Sequence, residues 1–149
     1  GRNVMIYLHW SAGHYNQYFD DYHINIDNDG SIFISSDDLT TVLPHTWHRN
    51  TGSIGIALCC CYGANSNTNL GKEPPTEAQI GTMAQIIGMI ASVFGWQCTV
   101  EHFLTHDEVA KIDGYANERW DLAVIRSGDE YGTGGNKLRG NGEWYRLHS

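Results

Sequence analysis

The sequence predicts one α/β domain spanning residues 1–149, built on a central mixed β-sheet flanked by helices. Three features carry that expectation. Val4 to His9 and Ser53 to Cys60 are almost wholly apolar, the pattern of strands covered on both faces. Tyr22 to Ile26 and Ser31 to Ser35 alternate in polarity around the turn Asp27-Asn28-Asp29-Gly30, which makes them a hairpin and adds an antiparallel pair. A later stretch repeats apolar residues at helical spacing. A chain of 149 residues can bury a core of its own, and no internal repeat or second domain is visible.

The elements follow in chain order. The first strand, Val4 to His9, carries a histidine to its end. In the first hairpin arm Tyr22, Ile24 and Ile26 share one face while His23 and Asn25 share the other, because successive side chains on a strand alternate. Residues 62–75 are rich in Gly, Asn, Thr and Pro and read as a loop. Thr76 caps the helix that follows, with Gln79 completing a capping box. Ile80, Met83, Ala84, Ile87, Ile90, Ala91 and Phe94 form its apolar stripe, and Gly95 ends it. Cys98 to Phe103 is expected to return as a strand presenting Thr105-His106 at its exit. Glu108 falls in the first turn of a short helix from Asp107 to Lys111, and Asp121 opens the apolar run Leu122-Ala123-Val124-Ile125.

Composition excludes several classes of partner. Nine Lys and Arg against seventeen Asp and Glu give a net charge of −8, the opposite of the clustered cations that bind nucleic acid. No apolar run is long enough to span a bilayer, so membrane insertion is not expected. The sequence opens without a basic-then-apolar signal region. Cys59, Cys60 and Cys61 are consecutive on a predicted strand and point to alternate faces, so they pair poorly with one another. Together with Cys98 they read as small buried residues, and such thiols suit a chain made in a reducing cytoplasm.

Three short segments end in residues that can hold zinc. Ile6-Tyr7-Leu8-His9 supplies one imidazole, Thr105-His106 a second, and Arg119-Trp120-Asp121 a carboxylate. Two imidazoles and one carboxylate leave one tetrahedral position free, the layout of a catalytic zinc rather than a structural one. Asp113, in Lys111-Ile112-Asp113, is the alternative third ligand. Asp121 is favoured because it borders an apolar run, whereas Asp113 precedes a glycine turn. His14, His45, His48 and His102 lack such a setting; His45, His48 and His23 are possible cleft residues.

In their order along the chain these motifs resemble the zinc-dependent N-acetylmuramoyl-L-alanine amidases, the superfamily that includes phage lysozyme-amidases and peptidoglycan recognition proteins. The likeness rests on His9 at the end of the first strand, Tyr22-His23-Ile24-Asn25-Ile26 followed by Asp29-Gly30, Asn50-Thr51-Gly52-Ser53-Ile54-Gly55-Ile56, the helix opened by Thr76, and Thr105-His106. It runs from about residue 4 to residue 125. The family places a cation two positions before its third ligand, which both Arg119/Asp121 and Lys111/Asp113 satisfy. One departure stands out: Ala57 occupies the position where the bacterial branch carries a catalytic glutamate. Some phage members use a tyrosine of the Y-H hairpin instead, which corresponds to Tyr22, with Glu108 as the second candidate for proton transfer.

The resemblance implies an amidase fold and a bound Zn2+ held by His9, His106 and Asp121. Zinc supplies Lewis acidity and a water acidified to a pKa near ~7. Hydrolysis would separate the lactyl group of muramic acid from L-alanine in peptidoglycan, with Arg119 beside the oxyanion and Tyr22 or Glu108 serving the leaving amine. Two other outcomes stay open, a non-catalytic muropeptide-binding module and a zinc peptidase cutting within the stem peptide. The expected setting is a monomer acting on the wall in the periplasm or outside the cell. It would be a phage lysis or tail enzyme, or an antibacterial effector paired with an immunity protein.

Overall fold

The computed structural model describes residues 4–36, 38, 52–114 and 120–149. Strands β1 (Met5–Trp10), β2 (Ile24–Ile26), β3 (Ile32–Ile34), β4 (Ser53–Leu58) and β5 (Phe103–Thr105) form one sheet in the order β3-β2-β4-β1-β5. Only β3 runs antiparallel to its neighbour; β2, β4, β1 and β5 are mutually parallel. The sheet is therefore mixed, as the hairpin and the two apolar runs required. Helices α1 (Glu77–Phe94) and α3 (Gly134–His148) pack together on one face, and α2 (His106–Asp113) lies against β1 and β5 on the other.

Alternation along β1 divides its side chains between two environments. Ile6, Leu8 and Trp10 join the large core with Ile56, Leu58, Met83, Ile87 and Leu138, while Tyr7 packs with Leu104 and Val109 beneath α2. His9 has the parity of Tyr7, so it emerges on the α2 side. The parallel register sets Ala57 of β4 directly beside it. Ser53 to Leu58 is buried throughout, as its unbroken apolar character predicts.

Helix α1 realises its capping box: the Thr76 hydroxyl accepts from the Gln79 N–H, and the Gln79 side chain accepts from the Thr76 N–H. Gly95 closes it at φ 74°, a left-handed geometry that favours glycine. One expected strand and one apolar run take other forms. Residues 98–102 are turns, and only Phe103–Thr105 pairs with β1. Asp121 to Ile125 is deeply buried but is not a strand. Leu122 turns to φ 59°, and Ala123 spends its carbonyl on the N–H groups of Gly132 and Gly134 instead of a ladder. All four cysteines are buried free thiols.

Helix α3 contains four glycines, and three of them serve its packing. Gly88 of α1 meets Gly142 of α3 so closely that a Cβ on Gly88 would lie 2.6 Å from the Gly142 carbonyl oxygen. A Cβ on Gly81 of the same helix would meet nothing within 4 Å. Gly88→Ala should therefore cost about 1–3 kcal/mol by overpacking, whereas Gly81→Ala should gain roughly 0.5–1 kcal/mol from helix propensity. Urea midpoints of the two variants check this, and equal midpoints would contradict the close crossing.

The segment between β1 and β2 is held by two buried side chains of the hairpin. Asn25 accepts from the Phe19 N–H and donates to its carbonyl, at 3.1 Å each. Asp27 accepts from the Asn16 N–H and side-chain amide and from the Tyr18 hydroxyl. Burial opposes the charge on Asp27, but the bonds from Tyr18 and Asn16 outweigh it and hold the carboxyl below its ordinary range. A lowered folded-state value contributes stability above the unfolded pKa and loses it as pH falls through the folded one. The Tm gap between the parent and Asp27→Asn should be full at pH 7 and narrower at pH 3; a constant gap would contradict this bracing.

Candidate metal centre

His9, His106 and Asp121 converge although they come from β1, from the first position of α2 and from the buried turn that follows α2. His9 Nδ1 lies 3.1 Å from His106 Nδ1 and 3.1 Å from Asp121 Oδ2, and His106 Nδ1 lies 2.9 Å from the same oxygen. Three lone-pair atoms thus form a nearly equilateral triangle. Ligands held about 2.0–2.1 Å from a tetrahedral zinc are separated by roughly 3.3 Å, so the donor set fits such an ion in number, chemistry and spacing. All three residues are buried, and among the described residues this is the only His/Cys/Asp/Glu group of its kind.

Local structure aims each of the three side chains. The His9 side chain takes the α2 side because of its place in β1. His106 follows Thr105, the N-cap of α2, whose hydroxyl accepts from the Glu108 N–H while the Glu108 side chain returns to the Thr105 N–H. Asp121 is fixed through both of its acceptors. Its Oδ1 takes the Trp10 N–H, which leaves Oδ2 for the two imidazoles, and its carbonyl takes the Asp107 N–H at 3.0 Å. Burial works against an ionised Asp121, yet His9 and His106 hold its carboxyl below the usual range. Asp113, the alternative ligand, instead ends α2 just before Gly114 and is not part of the group.

The remaining candidate residues have varied settings. The Tyr22 ring packs against that of His9, with centroids 5.0 Å apart. Ala57, where the bacterial branch has its glutamate, stands beside His9 in the register and offers only a methyl group. The two oxygens of Glu108 form a bidentate pair with Arg139 at 2.7 and 2.8 Å. Burial raises its pKa but Arg139 and Thr105 outweigh that and lower it, keeping the carboxylate an acceptor. His23 Nδ1 accepts from the Gly55 N–H at 3.0 Å. His14 pairs with Glu73 and stacks on Tyr62, and His102 stacks on Trp96. Arg119, His45, His48, Asn50 and Thr51 lie outside the described residues.

Lys111, the cation associated with the Asp113 alternative, pairs with Asp107 at 3.0 Å and lies over the Tyr131 ring. Tyr131 in turn donates to Asp107 and meets Trp120 edge-on. Arg139, which links α3 to the start of α2, carried no signal in the sequence because its partners there, Phe103 and Glu108, are more than thirty positions away.

Comparison with known proteins agrees with this geometry. Residues 3–121 match the family described as N-acetylmuramoyl-L-alanine amidase, a span that contains all three converging residues. No curated protein matches the sequence. Among solved structures, the chain is similar to the Ph2119 endolysin from Thermus scotoductus MAT2119 bacteriophage Ph2119. The TM-score is 0.53 at 14% identity, covering 72% of this chain and 74% of that one. At that identity the likeness concerns the fold, a mixed sheet between helices. Among the described residues no helix is long and apolar enough to cross a membrane.

Proposed function

The chain belongs to the N-acetylmuramoyl-L-alanine amidase family, and from that premise we propose that it is a zinc hydrolase of peptidoglycan that cleaves the amide between N-acetylmuramic acid and L-alanine. The observation that carries this reading is the convergence of two imidazole nitrogens and one carboxylate oxygen within 2.9–3.1 Å of one another. His9, His106 and Asp121 would hold the ion, which would supply Lewis acidity and a water acidic enough to react near neutral pH.

The chain's own groups do the rest. The Trp10 N–H keeps Asp121 turned so that one oxygen faces the imidazoles. Tyr22, packed on His9, carries the proton between the attacking water and the leaving amine, a task that Ala57 cannot perform. Arg119 is assigned to the developing oxyanion on the strength of its place two residues before Asp121.

Digestion of purified peptidoglycan, with and without a chelator, followed by mass analysis of the products tests the proposal. Intact glycan strands and free stem peptides beginning with L-alanine are expected, and the chelator should suppress both. Fragments cut within the stem would point to a zinc peptidase. Retention on peptidoglycan without any cleavage would point to a muropeptide-binding module. The biological setting is assigned at the level of the substrate: the bacterial cell wall, reached by phage lysis, by a tail enzyme or by an effector with its immunity protein.

A further inference from the structure

Helix α3 lies beyond the family match, which ends at residue 121, yet it reaches back to the turn that carries His106. Arg139 of this helix is 5% exposed and makes four hydrogen bonds. Its NH1 donates to the Phe103 carbonyl at 2.9 Å and to Glu108 Oε1 at 2.7 Å; its NH2 donates to Glu108 Oε2 and to Asn136 Oδ1 at 2.8 Å. Phe103 lies three residues before His106, and Glu108 lies two after it. The same Glu108 carboxylate closes the capping box on Thr105, the residue immediately before His106. One guanidinium therefore bonds a backbone carbonyl before His106 and a side-chain carboxylate after it.

A second feature shows that α3 is shaped for this contact. Helix α3 opens with Gly134-Gly135, and a Cβ on Gly135 would lie 2.3 Å from Glu108 Oε1. A Cβ on Gly134 would lie 2.1 Å from the carbonyl oxygen of Leu122, the residue after Asp121. The two glycines thus let α3 press against the segments that bear His106 and Asp121, and Arg139 fastens the first of them.

We propose that Arg139 is a positioning residue for the metal centre: acting through Glu108 and the Phe103 carbonyl, it sets the orientation of His106 toward His9 and Asp121. Lysine cannot replace it, because a single ammonium does not match the fixed fork that spans both Glu108 oxygens and the Phe103 carbonyl. The inference rests on the reading that His9, His106 and Asp121 hold a metal.

The test uses cobalt(II) as the probe, added to metal-stripped protein and followed by its visible absorption, which reports both affinity and ligand geometry. Arg139→Lys should bind cobalt at least ~10-fold more weakly than the parent, the range seen when groups that orient metal ligands are removed, with an altered absorption band. Glu108→Gln should do the same, and the double variant should lose little more than either single one, as expected for residues acting as one unit. Urea unfolding of the metal-free variants is measured alongside. A destabilised Arg139→Lys protein that binds cobalt with parental affinity and spectrum would make Arg139 a fold-stabilising residue only and overturn the proposal. A parent that takes up no cobalt would overturn both this inference and the metal reading beneath it.

Discussion

Replacing His9 or His106 by alanine is expected to strip zinc from the protein and reduce amide hydrolysis to the limit of detection. Each imidazole supplies one of three converging donors, and the remaining pair is a poor site for an ion that requires tetrahedral ligation. Asp121→Ala should behave in the same way and Asp113→Ala should not, because Asp121 closes the triangle while Asp113 sits at the far end of α2. Zinc per chain by elemental analysis, read beside hydrolysis, checks all four variants. Full activity in either histidine variant would remove the site. Zinc loss in Asp113→Ala with retention in Asp121→Ala would transfer the third ligand to Asp113 and the cationic role from Arg119 to Lys111.

Tyr22→Phe is expected to lower turnover at least ~100-fold while leaving zinc content unchanged. The substitution keeps the ring that packs on His9 and deletes only the hydroxyl. Proton transfer to the leaving amine needs a group beside the centre. Ala57 has none to give, and Glu108 is held by Arg139 in its ionised state. Parental turnover in Tyr22→Phe would reduce Tyr22 to a packing residue. Glu108→Gln would then be read for turnover per bound zinc: a drop in that ratio would return proton transfer to Glu108.

The parts of the fold that were legible in the sequence are those written in local patterns. The burial of β1 and β4, the β2–β3 hairpin and the caps of α1 each follow from residues a few positions apart. His9 and His106 could be picked out because each stands at the exit of a predicted strand and in a motif resembling the amidase family. Other parts depend on contacts that no local pattern encodes. Helix α3 carries no local signal: it holds four glycines, and at Gly134, Gly135 and Gly142 the place of a Cβ is taken by the Leu122 carbonyl, the Glu108 carboxylate and the Ile87 side chain. Leu122 to Ile125 looks like a strand by composition, but its backbone is satisfied by Trp120, Gly132 and Gly134 in turns. The pairing of Glu108 with Arg139, thirty-one residues away, is a contact of the same kind. The sequence Thr105-His106-Asp107-Glu108 did contain a capping box, the one local sign that Glu108 serves the helix start.

The central claim is that one zinc, held by His9, His106 and Asp121, is required for amide cleavage. The most direct measurement is the rate at which metal-stripped protein releases new L-alanine amino groups from peptidoglycan as zinc is added back. The rate should rise in proportion to zinc up to one equivalent per chain and then level off. Full release by the stripped protein without added metal, or no release at any zinc level, would contradict the account.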